Sequence, residues 1–90
     1  MLIESGNLAI GIEAISRLRD VQAQLRAIEL KREAAGAQRL VLLVADTHAN
    51  RRAIRDAGPL IRGAFTVGTR AALAALAAGR DPGGDALVVL

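Results

Sequence analysis

Ninety residues, 52% of them hydrophobic, 23% charged and none of them cysteine, fit one small globular domain and exclude a disulfide framework, a thiolate metal centre and a disordered tail. The net charge of +3 hides a segregation: residues 1–46 carry six basic and six acidic side chains, whereas residues 47–80 carry six arginines against Asp56 alone. No apolar run reaches the roughly 18 residues of a membrane span and the opening MLIESGN has no basic leader pattern, so the sequence reads as a cytoplasmic protein with no membrane partner.

Residues 1–7 read as a loose lead-in ending in the turn signal Ser5-Gly6-Asn7, and residues 8–90 as one α/β domain. LAIGIEAI, residues 8–15, is a short apolar run of the kind that makes a buried strand, with Gly11 marking a close approach or bulge. A helix follows over about residues 19–35. Asp20 can cap it and Gly36 closes it. Val21, Leu25 and Ile28 share one face; Ala23, Ala27, Leu30 and Ala34 lie nearly opposite. A helix apolar on two sides is packed on two sides, so a protein partner or self-association through this helix is expected.

RLVLLVA, residues 39–45, is the clearest strand, apolar enough to be covered on both faces. Strand, helix and strand make a right-handed βαβ unit with parallel strands. Asp46 or Thr47 can cap the next helix, with Ala53, Ile54 and Ala57 inward. Gly58-Pro59 breaks it and starts a further one. Thr69 caps a last helix to Ala78, and after the turn Asp81-Pro82-Gly83-Gly84-Asp85 the residues 86–90 form a final strand. The expected order is β-α-β-α-α-α-β, a small, mostly parallel sheet with helices.

Chemistry-bearing groups are few. Glu13 is a lone acid in an apolar strand, costly there unless paired; Arg17 or Arg19 is within reach in sequence, and the alternative is a surviving metal-binding acid. Arg51, Arg52, Arg55 and Arg62 form a basic stretch able to meet DNA phosphates, although the single aromatic, Phe65, argues against base stacking. The segment VLLVADTHAN, residues 41–50, resembles the first motif of calcineurin-like metallophosphoesterases, which would make Asp46 and His48 metal ligands. With one histidine in the chain, a two-metal site of that kind lacks its other ligands.

A longer resemblance runs from Leu8 to Leu90. The strand with Glu13, then Arg17, then Asp20 and Gln22 opening a helix that holds Lys31, then Asp46-Thr47, Asn50-Arg51-Arg52 and the closing Gly79 to Gly84 turn are similar to the C-terminal domain of actinobacterial helix-turn-helix (XRE-type) regulator-like proteins. That domain has a restriction-endonuclease-like, PD-(D/E)XK, fold. The resemblance implies the C-terminal half of such a core, here truncated: no strand is expected ahead of Leu8 and no helix-turn-helix is present. It also marks Glu13, Asp20, Gln22 and Lys31 as relics of a nuclease site. Where the nuclease pattern needs a second polar residue two places after Glu13 stands Ile15, which can neither bind Mg²⁺ nor orient water. The expectation is therefore a non-catalytic, regulator-associated protein acting through protein contacts, with a DNA-associated module that uses Arg51, Arg52, Arg55 and Arg62 on phosphates as a competing reading. The alternative is a degenerate nuclease or phosphoesterase using Mg²⁺, completed by another chain.

Overall fold

Five branched aliphatics in a row, Leu40 to Val44, leave no polar face, and such a strand is stable only with a layer on each side. A computed structural model describes residues 1–90, apart from the side chain of Ser5, and supplies both layers. The chain runs β1 (Leu2–Ser5), β2 (Leu8–Ile15), α1 (Val21–Ala35), β3 (Arg39–Val44), α2 (His48–Ala64), α3 (Thr69–Ala77) and β4 (Ala86–Val89). The sheet order is β1-β2-β3-β4. β2, β3 and β4 are parallel, and β1 is antiparallel to β2. The protein is thus mixed α/β, and no helix among the described residues is long and apolar enough to cross a membrane.

Strand periodicity divides the core. Leu40, Leu42 and Val44 point to the side carrying α1 and α2, where they meet Val21, Ile28, Ile61 and Phe65. Val41 points the other way, to Ala72 of α3, with Ile10, Ala86 and Val88. β2 shares this division: Ile10 and Ile12 lie on the α3 side and Ile15 on the α1 side. Gly11 stands between, and a Cβ there would lie 3.3 Å from that of Ala37. The glycine lets the α1–β3 connection approach the strand.

Two sequence expectations are corrected at the amino end and one near the carboxyl end. Residues 2–5 are not a loose lead-in but a strand, paired Leu2 to Gly11 through Ser5 to Leu8 across the two-residue turn Gly6-Asn7. A strand therefore does precede Leu8. The break expected at Gly58-Pro59 is present: Gly58, at φ 30°, ψ −100°, is non-helical, and two helical segments meet there at a kink within α2. Thr69 is the first residue of α3 and not its cap, which is Gly68. Its hydroxyl turns to β4, accepting from the Val89 N–H at 3.0 Å and donating to the Leu87 carbonyl.

Two ion pairs tie the sheet's lower end. Arg32, on the last turn of α1, meets Asp85 and also donates to the carbonyls of Ala37 (3.2 Å) and Gln38 (3.0 Å). Asp85 accepts in turn from the Leu40 N–H at 2.9 Å. Burial alone would lower the guanidinium's pKa, but the hydrogen bond and charge of Asp85 outweigh it and raise it. Arg39 holds Asp81 with two bonds, 2.9 and 3.2 Å. Together they join the ends of α1, β3 and β4.

Candidate functional site

In parallel α/β sheets the loops that leave the C-terminal strand ends gather over one edge, and ligands bind there. Here the three parallel strands converge on that edge. Ala45 donates to Ile15, Asp46 to Leu90 at 2.7 Å and Leu90 to Val44 at 3.0 Å. Thr47 caps α2, its hydroxyl accepting the Asn50 N–H at 3.1 Å.

Asn50 closes the edge. It is fully buried, and all of its side-chain hydrogen bonds go to the two loops. Oδ1 accepts from the Leu18 N–H at 2.8 Å; Nδ2 donates to the carbonyls of Ser16 (3.0 Å) and Ala45 (2.9 Å). Buried amides of this kind fix one loop arrangement, because any slippage leaves backbone groups without partners. Sequence reading placed Asn50 only within a resemblance pattern. Its role rests on where two loops distant in sequence meet, which local patterning does not carry.

The candidate ligands on this edge are exposed and separately occupied. Asp46 is clamped by Arg51 at 2.5 and 3.0 Å, and the Arg51 bond holds its carboxyl below the usual carboxylate range. His48 sits on the first turn of α2, with Nε2 3.4 Å from the Arg52 guanidinium. A shallow depression of about 240 Å³ lies beside them, lined by Arg51, Ile54, Arg55 and Val89. Arg52, Arg55 and Arg62 are exposed on α2. They have no carboxylate at ion-pair distance among the described residues.

Glu13 is elsewhere. Its odd position on β2 turns it to the α1 side, where Lys31 approaches to 3.8 Å; neither Arg17 nor Arg19 pairs with it. Opposite Leu42 in the register, it lies four residues, roughly 13 Å along the strand direction, short of Asp46. β1 brings no second acid to it, because Glu4 faces Ala9 at the other end of β2. The pair borders an open groove of about 260 Å³ between α1 and the β1–β2 hairpin, lined also by Met1, Leu2, Gly11 and Ile28.

Of the four nuclease-relic candidates, the structure thus joins Glu13 with Lys31 and separates the other two. Asp20 caps α1, accepting from the Ala23 N–H at 3.2 Å, and Gln22 is exposed. The amide that works at this joint is Gln24, which accepts from the Arg19 N–H at 2.9 Å and donates to the Arg17 carbonyl at 3.1 Å. Glu13, Asp46 and His48 do not meet, and among the described residues no group of three His, Cys, Asp or Glu side chains could hold a metal ion.

Comparison with protein-family models, with curated proteins and with solved structures finds no match. The functional reading therefore rests on the chain's own surfaces.

Proposed function

We propose that this chain is a non-catalytic module of the regulator type, related to the C-terminal domains of XRE-type regulators, that works by binding the apolar face of a partner protein's helix. The observation that carries the reading is the outer face of α1. Ala23, Ala27, Leu30 and Ala34 recur at intervals of four, three and four residues, the spacing of a helix–helix seam, and all are exposed. Leu30 is 63% exposed, whereas Val21 and Ile28 on the inner face are buried. Arg26 and Glu33 flank the line and give a partner helix both signs of charge to read.

The disposition of the acids supports the non-catalytic half. Asp46 is held by Arg51, Asp20 serves as a cap, and Glu13 has Ile15 where a second polar group would be needed. The test places a photo-reactive amino acid at Ala27 of the full chain in its native host. One dominant protein adduct, lost on Leu30→Glu, is the expected result; adducts unaffected by Leu30→Glu would overturn it. In parallel, millimolar Mg²⁺ or Mn²⁺ should neither raise the Tm by mass action nor produce cleavage of DNA or a phosphodiester. Cleavage would establish the nuclease or phosphoesterase alternative.

A second reading has its own observation, the exposed Arg52, Arg55 and Arg62 on α2, none with a carboxylate at ion-pair distance among the described residues. As a DNA-phosphate contact they would give duplex affinity that falls steeply with salt. Replacing all three by glutamine should remove it, and affinity unchanged between low and physiological salt would sink this reading.

A further inference from the structure

The two edges of the sheet are unequal. Along β4 the outer edge is occupied: Val67 donates to the Asp85 carbonyl and accepts from the Leu87 N–H, and the Thr69 hydroxyl takes the Val89 N–H. Along β1 none of the described residues lies outside. Ile12 donates to the Met1 carbonyl at 2.7 Å and the Met1 ammonium donates to the Ile12 carbonyl at 2.9 Å. Bonded pairs alternate in an antiparallel ladder, so Met1, Ile3 and Ser5 turn their backbone groups to β2. Leu2 and Glu4 turn theirs away, with no partner among the described residues. The strand has no proline, lysine or bulge of the kind that shields an open edge.

We infer that β1 is the pairing edge for a second copy of this chain, joined antiparallel about a two-fold axis through Ile3. The register is set by hydrogen bonding. Only with Leu2 opposite Glu4 of the second copy, and Glu4 opposite its Leu2, do all four outward backbone groups on each copy find partners, giving four bonds. A shift of two residues either way halves that number. The axis then falls on a non-bonded pair, where side chains approach most closely, and the residue there is Ile3. Ile3 belongs to the apolar side of the sheet with Leu8, Ile10 and Ile12, so the two copies' apolar surfaces become continuous across the junction.

Charge agrees with this register. Glu4 of the second copy stands beside Leu2, on the α1 side of the sheet, where Leu2 and Lys31 line the same groove. Lys31 has one carboxylate near it, Glu13 at 3.8 Å, and is 68% exposed. Each copy thus supplies an acid on the side of the sheet where the other presents its lysine, and the symmetry repeats the pairing. The product is a continuous eight-stranded sheet that leaves the outer face of α1 and the arginines of α2 open.

Sedimentation of the full chain, with amide exchange read at Leu2 and Glu4, tests this. A species of twice 9.4 kDa is expected, with those two amides protected at high concentration and exchanging freely on dilution. Glu4→Pro removes an N–H that points away from β2, so the hairpin ladder keeps its bonds while self-association weakens by about tenfold or more. Glu4→Lys should weaken it too, and adding Lys31→Glu should restore it. A monomer at all concentrations overturns the inference. So does a dimer in which the Leu2 and Glu4 amides exchange freely. Dissociation by Leu30→Glu but not by either Glu4 variant would instead assign dimerisation to α1.

Discussion

Asn50 holds more of the candidate edge together than any charged residue does. Its amide satisfies one N–H and two carbonyls in two different loops, and leaving buried backbone groups unpaired costs about 1–3 kcal/mol each. Asn50→Ala should therefore lower stability by roughly 3 kcal/mol, read as a lower urea midpoint at unchanged slope. Asn50→Asp keeps the acceptor for Leu18 but turns a carboxylate on two carbonyls, so it should be no milder. The exposed acids behave differently. Arg51 lowers the pKa of Asp46; Arg39, and then the Gly83 N–H, lower that of Asp81, below the ordinary 3.8. A folded pKa below the unfolded one means that the unfolded chain binds more protons in that range. The contribution is present in full above pH 3.8 and is lost as pH falls through the lower folded value. The double variant Asp46→Asn, Asp81→Asn should accordingly flatten the stability–pH slope below about pH 4 and leave it unchanged near neutrality. An unaltered acid limb would show that other carboxylates dominate it.

At the scale of elements, what could be read in the sequence was what is encoded locally. The apolar runs of β2 and β3, the Asp20 cap and the Gly36 terminus of α1 each carry their signal within a few residues, and each falls where periodicity and capping chemistry put it. β1 was missed because four residues before a turn become a strand only when another strand is there to pair with. The partner of Glu13 was missed for a related reason. Its orientation depends on which face of β2 receives α1, and that choice selects Lys31 on the helix over arginines nearer in sequence. The kink in α2 is more explicit, since Pro59 cannot donate to the preceding turn and Gly58 takes a positive φ. A Cβ at Gly58 would touch only the Arg62 guanidinium, at 3.7 and 3.8 Å, so Gly58→Ala pays in backbone strain rather than in collision. The expected loss is about 1–3 kcal/mol, measurable by thermal or urea unfolding. On α1, Ile28→Ala should cost about 2–4 kcal/mol, being buried in the core. Leu30→Glu should change stability by less than about 0.5 kcal/mol. Equal costs at the two positions would mean that the outer face is not open in the isolated chain.

The whole molecule exposes more surface than its mass requires. A 9.4 kDa folded monomer is expected to present about 5,000 Å², and this one presents 5454 Å². The excess, about a tenth, is what an unpaired edge and the open outer face of α1 would leave. Short chains bury a smaller share of their surface and are correspondingly marginal, so association that covers such a surface adds directly to folding stability. Anything that binds the folded chain and not the unfolded one raises the Tm with its own concentration, and here the ligand is a second copy. Unfolding followed from micromolar to millimolar chain should thus show a Tm that climbs with concentration, while Glu4→Pro should lower the Tm and move that climb to about tenfold higher chain concentration. Leu30→Glu should retain the climb, because the outer face of α1 takes no part in the β1 junction. A wild-type Tm constant over that range would mean that the sheet's open edge contributes nothing to stability, whatever the surface area suggests.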